Sequence, residues 1–414
     1  AIRRKRREQA RLLAKRRRVE ERPTTEVAAE RPGPRVELCP ATERRFDRPD
    51  LPDLVRERAE RSLEDGDLDR AIEHFQLAGD HDRAARILGD HAERLLSAGE
   101  VVRLASWAGG FPRDASRLPW VLLVRGVLRR LDRDYEPALA LYRAAEEGFR
   151  SANDDAGLAR SLIWSGQALR YLRRPRQATA LVREGLAALG VGASIQAAWG
   201  EHLLGQCLTD IGEIEAGIEA HARADHLFAL LGERRGQLMV ALALARMRAD
   251  LGCLDDAQRS YLAAMELQGK AADVSVLCRL QAGLAEVRAR RGDVADGAQG
   301  LQPIVELARA NALRLPEAAV WATLALIHAV RGDQEAFETS YRHGIDLSRP
   351  PSSDDRLLVD LHTLAAEVRA ARGDAVGARD ALRAAEAVLS VGDLALSAVR
   401  VAIARGAVRE AEGD

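Results

Sequence analysis

The amino-acid sequence predicts an all-α fold, an α-solenoid of antiparallel helix pairs with about 40 residues per repeat in its C-terminal two-thirds. Three observations support this prediction. Glycines recur at a spacing of 40 residues, acidic residues follow each of them closely, and aromatic residues make up only 4% of the 414 residues. The glycines are Gly212, Gly252, Gly292 and Gly332, with Gly373 one residue late. A fixed period filled with helix-forming residues is typical of stacked helix pairs.

Each of these glycines marks a corner between two helices. Glycine adopts the left-handed conformation that ends a helix more readily than other residues do. The carboxylates that follow, such as Asp293, Asp333 and Asp374, then lie in the first turn of the next helix, where unpaired N–H groups and the helix dipole favour negative charge. No alternating β-branched segment stands out between the corners, so the sequence predicts almost no sheet.

The chain begins with a basic arm, residues 1–22, which holds 11 Lys or Arg and three Glu and therefore carries a charge of +8. The remaining residues include 51 basic and 60 acidic side chains, so the total charge of −1 conceals an uneven distribution. Three interpretations stay open: a solvated helix, the cut edge of a larger protein, or an arm that contacts the phosphate backbone of a nucleic acid. The candidate contacts are Arg3, Arg4, Lys5, Arg6, Arg7, Lys15, Arg16, Arg17 and Arg18.

A proline-rich linker, residues 23–52, follows the arm, because its prolines exclude regular helix. The helical-repeat solenoid is predicted to span residues 53–410. It comprises shorter repeats at 53–132, elongated repeats at 133–393 and a closing helix at 394–410.

The register of the elongated repeats predicts where their helices lie. First helices are expected near 195–211, 236–251, 276–291, 316–331 and 357–372. Second helices are expected near 214–231, 255–269, 295–311, 335–347 and 375–389. Before them, Arg173 takes the place of the corner glycine.

Small residues form two columns when the repeats are aligned on the corner residue. Seven positions before the corner stand Gly166, Gly205, Ala245, Ala285, Ala325 and Ala366. Five positions after it stand Ala178, Gly217, Ala257, Gly297, Phe337 and Ala378, of which only Phe337 is large. Small side chains let two helix axes approach closely, so the columns predict the crossing point within each pair. This pattern resembles the tetratricopeptide repeat in an elongated form.

A more specific resemblance lies in residues 71–112, which contain Ala71-Ile72-Glu73-His74-Phe75, Ala78-Gly79-Asp80, Gly99-Glu100-Val101 and Leu104-Ala105-Ser106-Trp107. This stretch is similar to the region after the winged helix in MalT-like regulators, the large LuxR-type signal-transduction ATPases. Residues 113–410 resemble their tetratricopeptide-like sensor region. The resemblance implies a scaffold that binds an inducer and takes part in transcription regulation.

The sequence lacks the motifs of the other modules in that architecture and of common enzymes. No GxxxxGK[ST] motif is present, so ATP hydrolysis is not implied, and no helix-turn-helix follows residue 410. Gly-x-Ser-x-Gly and HExxH motifs are also missing. We therefore expect no enzyme activity, no catalytic residues, no cofactor and no metal. The four cysteines are interpreted as small buried thiols in a cytoplasmic protein without a membrane span.

A candidate binding groove follows from the repeat alignment, because first helices form the concave wall of a tetratricopeptide stack. Positions 13, 10 and 6 before the corner share one helix face and are expected to face solvent in the groove. Trp199, His202 and Gln206 occupy them in one repeat, where an aromatic ring, an imidazole and an amide suit a small ligand. Neighbouring repeats add Gln167, Arg246, Arg279 and Glu286. Arg246 and Arg279 predict a cationic end, and Glu286, Asp360 and Glu367 an acidic end.

Three hypotheses for function remain open at this point. The first is a non-enzymatic scaffold and sensor that binds a small-molecule inducer or a partner protein in the groove and relays its state to regulatory modules. The second is a protein–protein interaction adaptor without a ligand. The third is association with nucleic acid through the basic arm. Within the groove, the alternative is that Trp199 packs between repeats and the polar residues face water.

Overall fold

The structure is a computed structural model that describes residues 51–413 with short gaps at 191, 269–272, 295–296, 350–354 and 391–394. Residues 55–414 form one compact unit. The basic arm and nearly all of the linker lie outside the described residues, so the nucleic-acid contacts of residues 1–22 stay a prediction.

The described residues are helical, with a short 3-10 turn at Ala115–Arg117 and no strand among them. The fold class predicted from the sequence is therefore confirmed. The helices are α1 Leu51–Glu64, α2 Leu68–Leu77, α3 His81–Ser97, α4 Val101–Gly109, α5 Pro119–Leu131, α6 Tyr135–Ala152, α7 Asp155–Tyr171, α8 Pro175–Leu189, α9 Ile195–Asp210, α10 Ile214–Leu230, α11 Arg234–Asp250, α12 Leu254–Gln268, α13 Val274–Arg290, α14 Gly297–Ala310, α15 Arg314–Arg331, α16 Gln334–Ser348, α17 Asp355–Ala370, α18 Ala375–Leu389 and α19 Ala395–Glu412.

The predicted corners adopt the left-handed conformation. The φ angles of the five corner glycines lie between 75° and 88°. Arg173 also has a positive φ of 61°, which shows that it occupies the corner position despite its side chain. Asp333 and Asp374 cap the helices that follow, each accepting a hydrogen bond from a backbone N–H three residues on.

Most helix boundaries agree with the predicted register, but four first helices begin two residues earlier than expected, at Arg234, Val274, Arg314 and Asp355. Capping explains the start of α13. The side chain of Asp273 accepts a hydrogen bond from the N–H of Ser275 at 2.9 Å, so Asp273 is the N-cap and the helix begins at the next residue. The closing helix α19 also extends two residues further than predicted.

Close packing within the helix pairs occurs at most positions of the predicted small columns. A Cβ atom added at Gly205 of α9 would lie 2.8 Å from the ring of His221 on α10. In the same column, Ala245, Ala325 and Ala366 are fully buried. Phe337, the one large residue of the second column, is also fully buried, so that pair accommodates an aromatic ring at its crossing. Cys207 and Cys278 are buried as expected, whereas Cys253 is exposed and departs from the expectation.

Contacts between distant repeats show that the stack turns back on itself. Arg173, at the corner after α7, donates a hydrogen bond of 3.0 Å to the carbonyl of Val388 in α18 and forms an ion pair with Asp355 at the start of α17. A Cβ atom at Gly212, after α9, would lie 3.1 Å from the side chain of Ala395 in α19. The C-terminal helices therefore pack against the inside of the early elongated repeats.

Candidate functional site on the inner wall

The first helices α7, α9, α11, α13, α17 and α19 present one side to the inside of this turn, which we call the inner wall. On α9, Trp199, His202 and Gln206 share a face, as the helical spacing predicts. The side-chain nitrogen of Gln206 lies 3.1 Å from Nε2 of His202, and the rings of Trp199 and His202 are 5.8 Å apart. These three predicted site residues are therefore brought together.

Trp199 also packs within its own helix pair. Its ring meets Phe228 of α10 edge to face at a centroid distance of 4.9 Å, and its side chain is half-buried. This geometry stabilises the α9–α10 pair, as aromatic pairs of this kind do. The contact with Phe228 lies within one repeat, whereas the alternative interpretation placed the packing of Trp199 between repeats.

Two buried histidines lie between α9 and α10. The rings of His202 and His221 are 5.1 Å apart, and the Nδ1 atoms of both are buried without a hydrogen-bond partner. Burial lowers the pKa of His202 well below its usual value, with the charges of His221, Arg170 and Arg279 acting in the same direction. Burial and Arg170 lower the pKa of His221 to about 4. Both rings are therefore neutral near pH 7.

Arg246 of α11 joins three helices through its guanidinium group. It pairs with Glu286 of α13 at 2.7 Å and with Asp360 of α17 at 3.0 Å. It also pairs with Asp250, one turn further along α11, at 3.2 Å. The link to Asp360 spans 114 residues of sequence and connects repeats that are not neighbours in the stack. Arg246 thus binds the inner wall together across the superhelix.

Arg400 of α19 makes the second link of this kind. It pairs with Asp250 at 2.7 Å and with Asp360. Arg356 of α17 also pairs with Asp250, so three guanidinium groups surround a carboxylate whose side chain is only 1% exposed. With the pair between Arg290 and Glu286 at 2.6 Å, these residues form one network. We call it the charged cluster: Arg246, Asp250, Glu286, Arg290, Arg356, Asp360 and Arg400.

The electrostatics of the charged cluster follow from burial and opposing charge. Burial would raise the pKa of Asp360, but Arg400, Arg246 and Arg356 together lower it below its ordinary value. Burial, with Arg246 and Arg400 nearby, lowers the pKa of Arg356 to about 10. Burial raises the pKa of the adjacent Glu367, against the charges of Arg400 and Arg290. The aspartate is thus held ionised within an arginine-rich environment.

The predicted division of the groove into a cationic and an acidic end is wrong. Arg246, Glu286 and Asp360 belong to the same network, because the closing of the superhelix brings the two predicted ends into contact. His202 and Glu286 are buried and Gln206 and Arg246 are half-buried, so the expectation that these residues face solvent in the groove is wrong. Of the other predicted residues, Gln167 is half-buried on α7 and Arg279 is exposed on α13.

Sequence reasoning missed the cluster residues that lie two positions before a corner, Asp250 and Arg290, and the equivalent Asp210. Asp210 pairs with Arg170 of the preceding repeat at 2.6 Å. The sequence does contain a signal for them. Each stands four residues after a polar residue that lies six positions before the corner, and residues at i and i+4 share a helix face. Arg356 and Arg400 carried no such signal, because only the closure of the superhelix brings them to Asp250.

A separate depression of about 600 Å³ lies near α2 and α4 and is lined by Asp69, Glu100, Val102, Arg103, Ser106 and Trp107. Its carboxylate is already engaged: Asp69 accepts hydrogen bonds from Arg103 at 2.8 and 2.9 Å and from the indole of Trp107 at 2.6 Å. Arg103 also lies over the Trp107 ring at 5.0 Å. These contacts hold α2 to α4 and give the depression a structural explanation.

The described part of the chain contains no group of three or more His, Cys, Asp or Glu side chains placed to hold a metal ion. None of its helices is long and apolar enough to cross a membrane.

The chain is similar in sequence to one regulatory protein and in fold to several solved structures. No family model matches the sequence. Over 131 residues it is 31% identical to the regulatory protein AfsR of Streptomyces coelicolor, a match that covers 31% of this chain and 13% of the length of AfsR.

Two solved structures cover much more of the chain. The apo form of RapI has a TM-score of 0.56 and 12% identity, covering 66% of this chain and 98% of RapI. The Rap conjugation gene regulator of the plasmid pLS20, in complex with the Phr* peptide, has a TM-score of 0.55 and 13% identity, covering 82% of this chain and 94% of the regulator. The likeness shows a tetratricopeptide-like helical-repeat fold, and the MalT-like family that the sequence resembles is not shown by these comparisons.

Proposed function

We propose that this chain is a non-enzymatic regulatory scaffold that binds a ligand at its inner wall and responds by changing how its superhelix closes. The observation that supports this most strongly is the pair of links between non-neighbouring repeats, Arg246 to Asp360 and Arg400 to Asp250. A solenoid needs only contacts between adjacent repeats to fold. The links across the turn therefore give the superhelix a closed state that the repeats do not need in order to fold.

The energetics of buried ion pairs suit a switch. Removing charges from water costs free energy that their mutual attraction offsets only in part, so the closed state gains little over an open state with solvated charges. A ligand that binds one of the two states more tightly shifts the equilibrium toward that state. The charged cluster thus gives a ligand a means to control closure.

The chemistry of the inner wall favours an anionic ligand. The charged cluster holds four guanidinium groups, of Arg246, Arg290, Arg356 and Arg400, against three carboxylates. Arg279 adds an exposed cation near His202, and Gln206 adds a hydrogen-bonding amide. A carboxylate of a peptide or of a small metabolite would pair with such a surface. The Phr* complex of the pLS20 regulator gives a peptide ligand precedent on this fold.

The proposed role is regulation of transcription, with the closed or open state of the scaffold relayed to other modules. The regulatory protein AfsR and the resemblance to MalT-like regulators support this assignment. By analogy with MalT-like regulators, the ligand would be an inducer. A partner protein that docks on the inner wall would produce the same response, and the experiment below distinguishes the two.

A thermal-shift screen tests the proposal, with one library of anionic metabolites and one of short random-sequence peptides. A ligand present at a hundred times its dissociation constant should stabilise the protein by about 2.7 kcal/mol. Arg279→Ala and Gln206→Ala should weaken the response, whereas Val376→Ala, on the exposed surface of α18, should not. If a ligand stabilises these two variants as much as it stabilises the unmodified protein, the binding site lies elsewhere. A negative screen with both libraries would favour the adaptor hypothesis.

A further inference from the structure

One helix pair, α13–α14, differs from the other elongated repeats at its crossing. Both of its members of the small columns, Ala285 and Gly297, are half-buried. The residues at the same positions of the other five pairs are all buried: Gly166, Gly205, Ala245, Ala325 and Ala366 on the first helices, and Ala178, Gly217, Ala257, Phe337 and Ala378 on the second helices. The crossing of α13 and α14 is therefore more open than those of the other pairs.

The neighbours of Gly297 show how α14 is placed. The three atoms nearest to a Cβ added at Gly297 all belong to Ile327 of α15, the first helix of the next repeat, and the closest lies at 3.1 Å. At the equivalent Gly217 of α10, the nearest atoms belong to Thr209 and Gly205 of its own first helix, at 2.8 and 3.2 Å. At this position α14 thus lies closer to the next repeat than to α13.

The sequence of α14 also weakens the helix itself. Pro303 lies in its interior, whereas the prolines of the other described helices lie in their first turns. Because proline has no N–H, the carbonyl of Gln299 lacks its partner within the helix. A Cβ atom added at Gly300 would meet nothing within 4 Å, so packing does not require this glycine, which lowers the stability of the helix.

The charged cluster has residues on both sides of this pair in the sequence. The ion pairs that cross the turn join Arg246 and Asp250 of α11 to Arg356, Asp360 and Arg400 of α17 and α19. When these pairs separate, the two halves of the superhelix move apart. The movement must then be taken up between them, where α13, α14, α15 and α16 lie.

Other contacts in this segment are closer. Between α16 and α17, Arg369 pairs with Glu338 at 3.1 Å, and the hydroxyl of Tyr341 lies 2.9 Å from Nδ1 of His362. The first helices α13 and α15 also contact each other directly, since the hydroxyl of Thr323 donates a hydrogen bond of 3.4 Å to the carbonyl of Ala282. The α13–α14 crossing is therefore the part of the segment with the most freedom to change.

We propose that the α13–α14 pair is the hinge about which the superhelix opens, with α14 changing its packing while α13 and α15 stay in contact. This inference rests on the proposed function, because it takes the open state from there. First helices line the inside of the turn, so widening the turn brings the second helices on its outer side closer together. The open crossing and the weakened helix α14 accommodate that approach, as hinges absorb motion at a few residues.

The first test is hydrogen exchange of the unmodified protein, followed by mass spectrometry. Amides of α14 should exchange at least about tenfold faster than those of α12 and α16, the second helices on either side, because Gly300 and Pro303 lower its local stability. Similar protection of the three helices would overturn the hinge, whether or not the superhelix opens.

The second test stiffens α14 in a protein whose superhelix has been opened. Arg400→Gln should raise the radius of gyration in small-angle X-ray scattering, because it removes the link from α19 to α11. Adding Gly300→Ala and Pro303→Ala, at two exposed residues, should reduce this increase at least about twofold, since alanine favours regular helix.

The matched control is Gly406→Ala, added to Arg400→Gln in place of the two α14 substitutions. Gly406 of α19 stands seven positions before Gly413, which has a positive φ of 84°, and a Cβ atom there would also meet nothing within 4 Å. It should leave the increase intact. An increase that persists in full with the α14 substitutions, or that Gly406→Ala reduces equally, would overturn the hinge but not the closure. No increase in Arg400→Gln itself would contradict the closure and the hinge together.

Discussion

Helices α9 and α11 present the same two positions, six and two residues before the corner, to the inner wall but fill them with different chemistry. On α9 they hold Gln206 and Asp210, whose described contacts are with the same helix and the preceding repeat. On α11, Arg246 and Asp250 instead contact residues from α13, α17 and α19. The position of a side chain in the repeat thus determines where it lies. Its chemistry determines whether it contacts only its own and the preceding repeat or also links distant repeats and closes the superhelix.

The largest effect should come from the carboxylate at the centre of the charged cluster. Asp250→Ala leaves Arg246, Arg356 and Arg400 without a shared partner, and breaking buried pairs of this kind costs about 3–5 kcal/mol. Urea denaturation measures the loss. Asp346→Ala is the control, because Asp346 pairs with Arg349 at 3.7 Å on an exposed surface and should change stability by less than about 1 kcal/mol. Similar losses in both variants would contradict a special role for the cluster.

The next effect concerns packing within the α9–α10 pair. Gly205→Leu forces a side chain into the ring of His221, only 2.8 Å from the position of a Cβ atom, and should cost about 1–3 kcal/mol through overpacking. Gly406→Leu changes the same column position on α19, where nothing lies within 4 Å. It should be neutral or slightly stabilising, since leucine favours helix over glycine. Thermal denaturation of the two variants compares the loss of stability at a glycine that another helix covers with that at a glycine without close neighbours.

The buried histidines predict a pH dependence. Since the pKa of His221 falls to about 4 in the folded state from its ordinary 6.5, its contribution to stability is complete above pH 6.5 and decreases as the pH falls toward 4. The slope is about 1.4 kcal/mol per pH unit for one histidine. Urea denaturation between pH 7 and 5 should show a smaller slope for His221→Asn than for the unmodified protein. Identical slopes would mean that His221 does not titrate on unfolding in this range.

The smallest effects are expected at Gln206 and Arg279. Gln206→Ala removes the neighbour of His202 Nε2 and should cost about 1 kcal/mol, the usual value for one hydrogen bond. Arg279→Ala, at an exposed residue, should change stability by less than about 0.5 kcal/mol. Chemical denaturation of both variants tests the order. A loss at Gln206 comparable to that at Asp250 would remove the distinction between α9 and α11.

Local rules in the sequence predicted the corners, the helix pairs and the small columns, because each depends on residues close in sequence. The shared face of Trp199, His202 and Gln206 follows from helical spacing alone. The charged cluster depends instead on how the curvature of many repeats accumulates. The small rotations between successive repeats add up until Asp360 lies beside Arg246 and Arg400 lies beside Asp250. No local sequence pattern encodes this total rotation. For the same reason, Glu286 and Asp360 looked like a free acidic surface.

Small-angle X-ray scattering of the protein and of Arg400→Gln tests the closure of the superhelix most directly. Arg400 links α19 to Asp250 of α11 and to Asp360 of α17, and glutamine removes its charge at similar length. We expect a larger radius of gyration for Arg400→Gln, with helix content by circular dichroism unchanged. An unchanged radius of gyration together with unchanged stability would show that the ion pairs do not hold the superhelix closed.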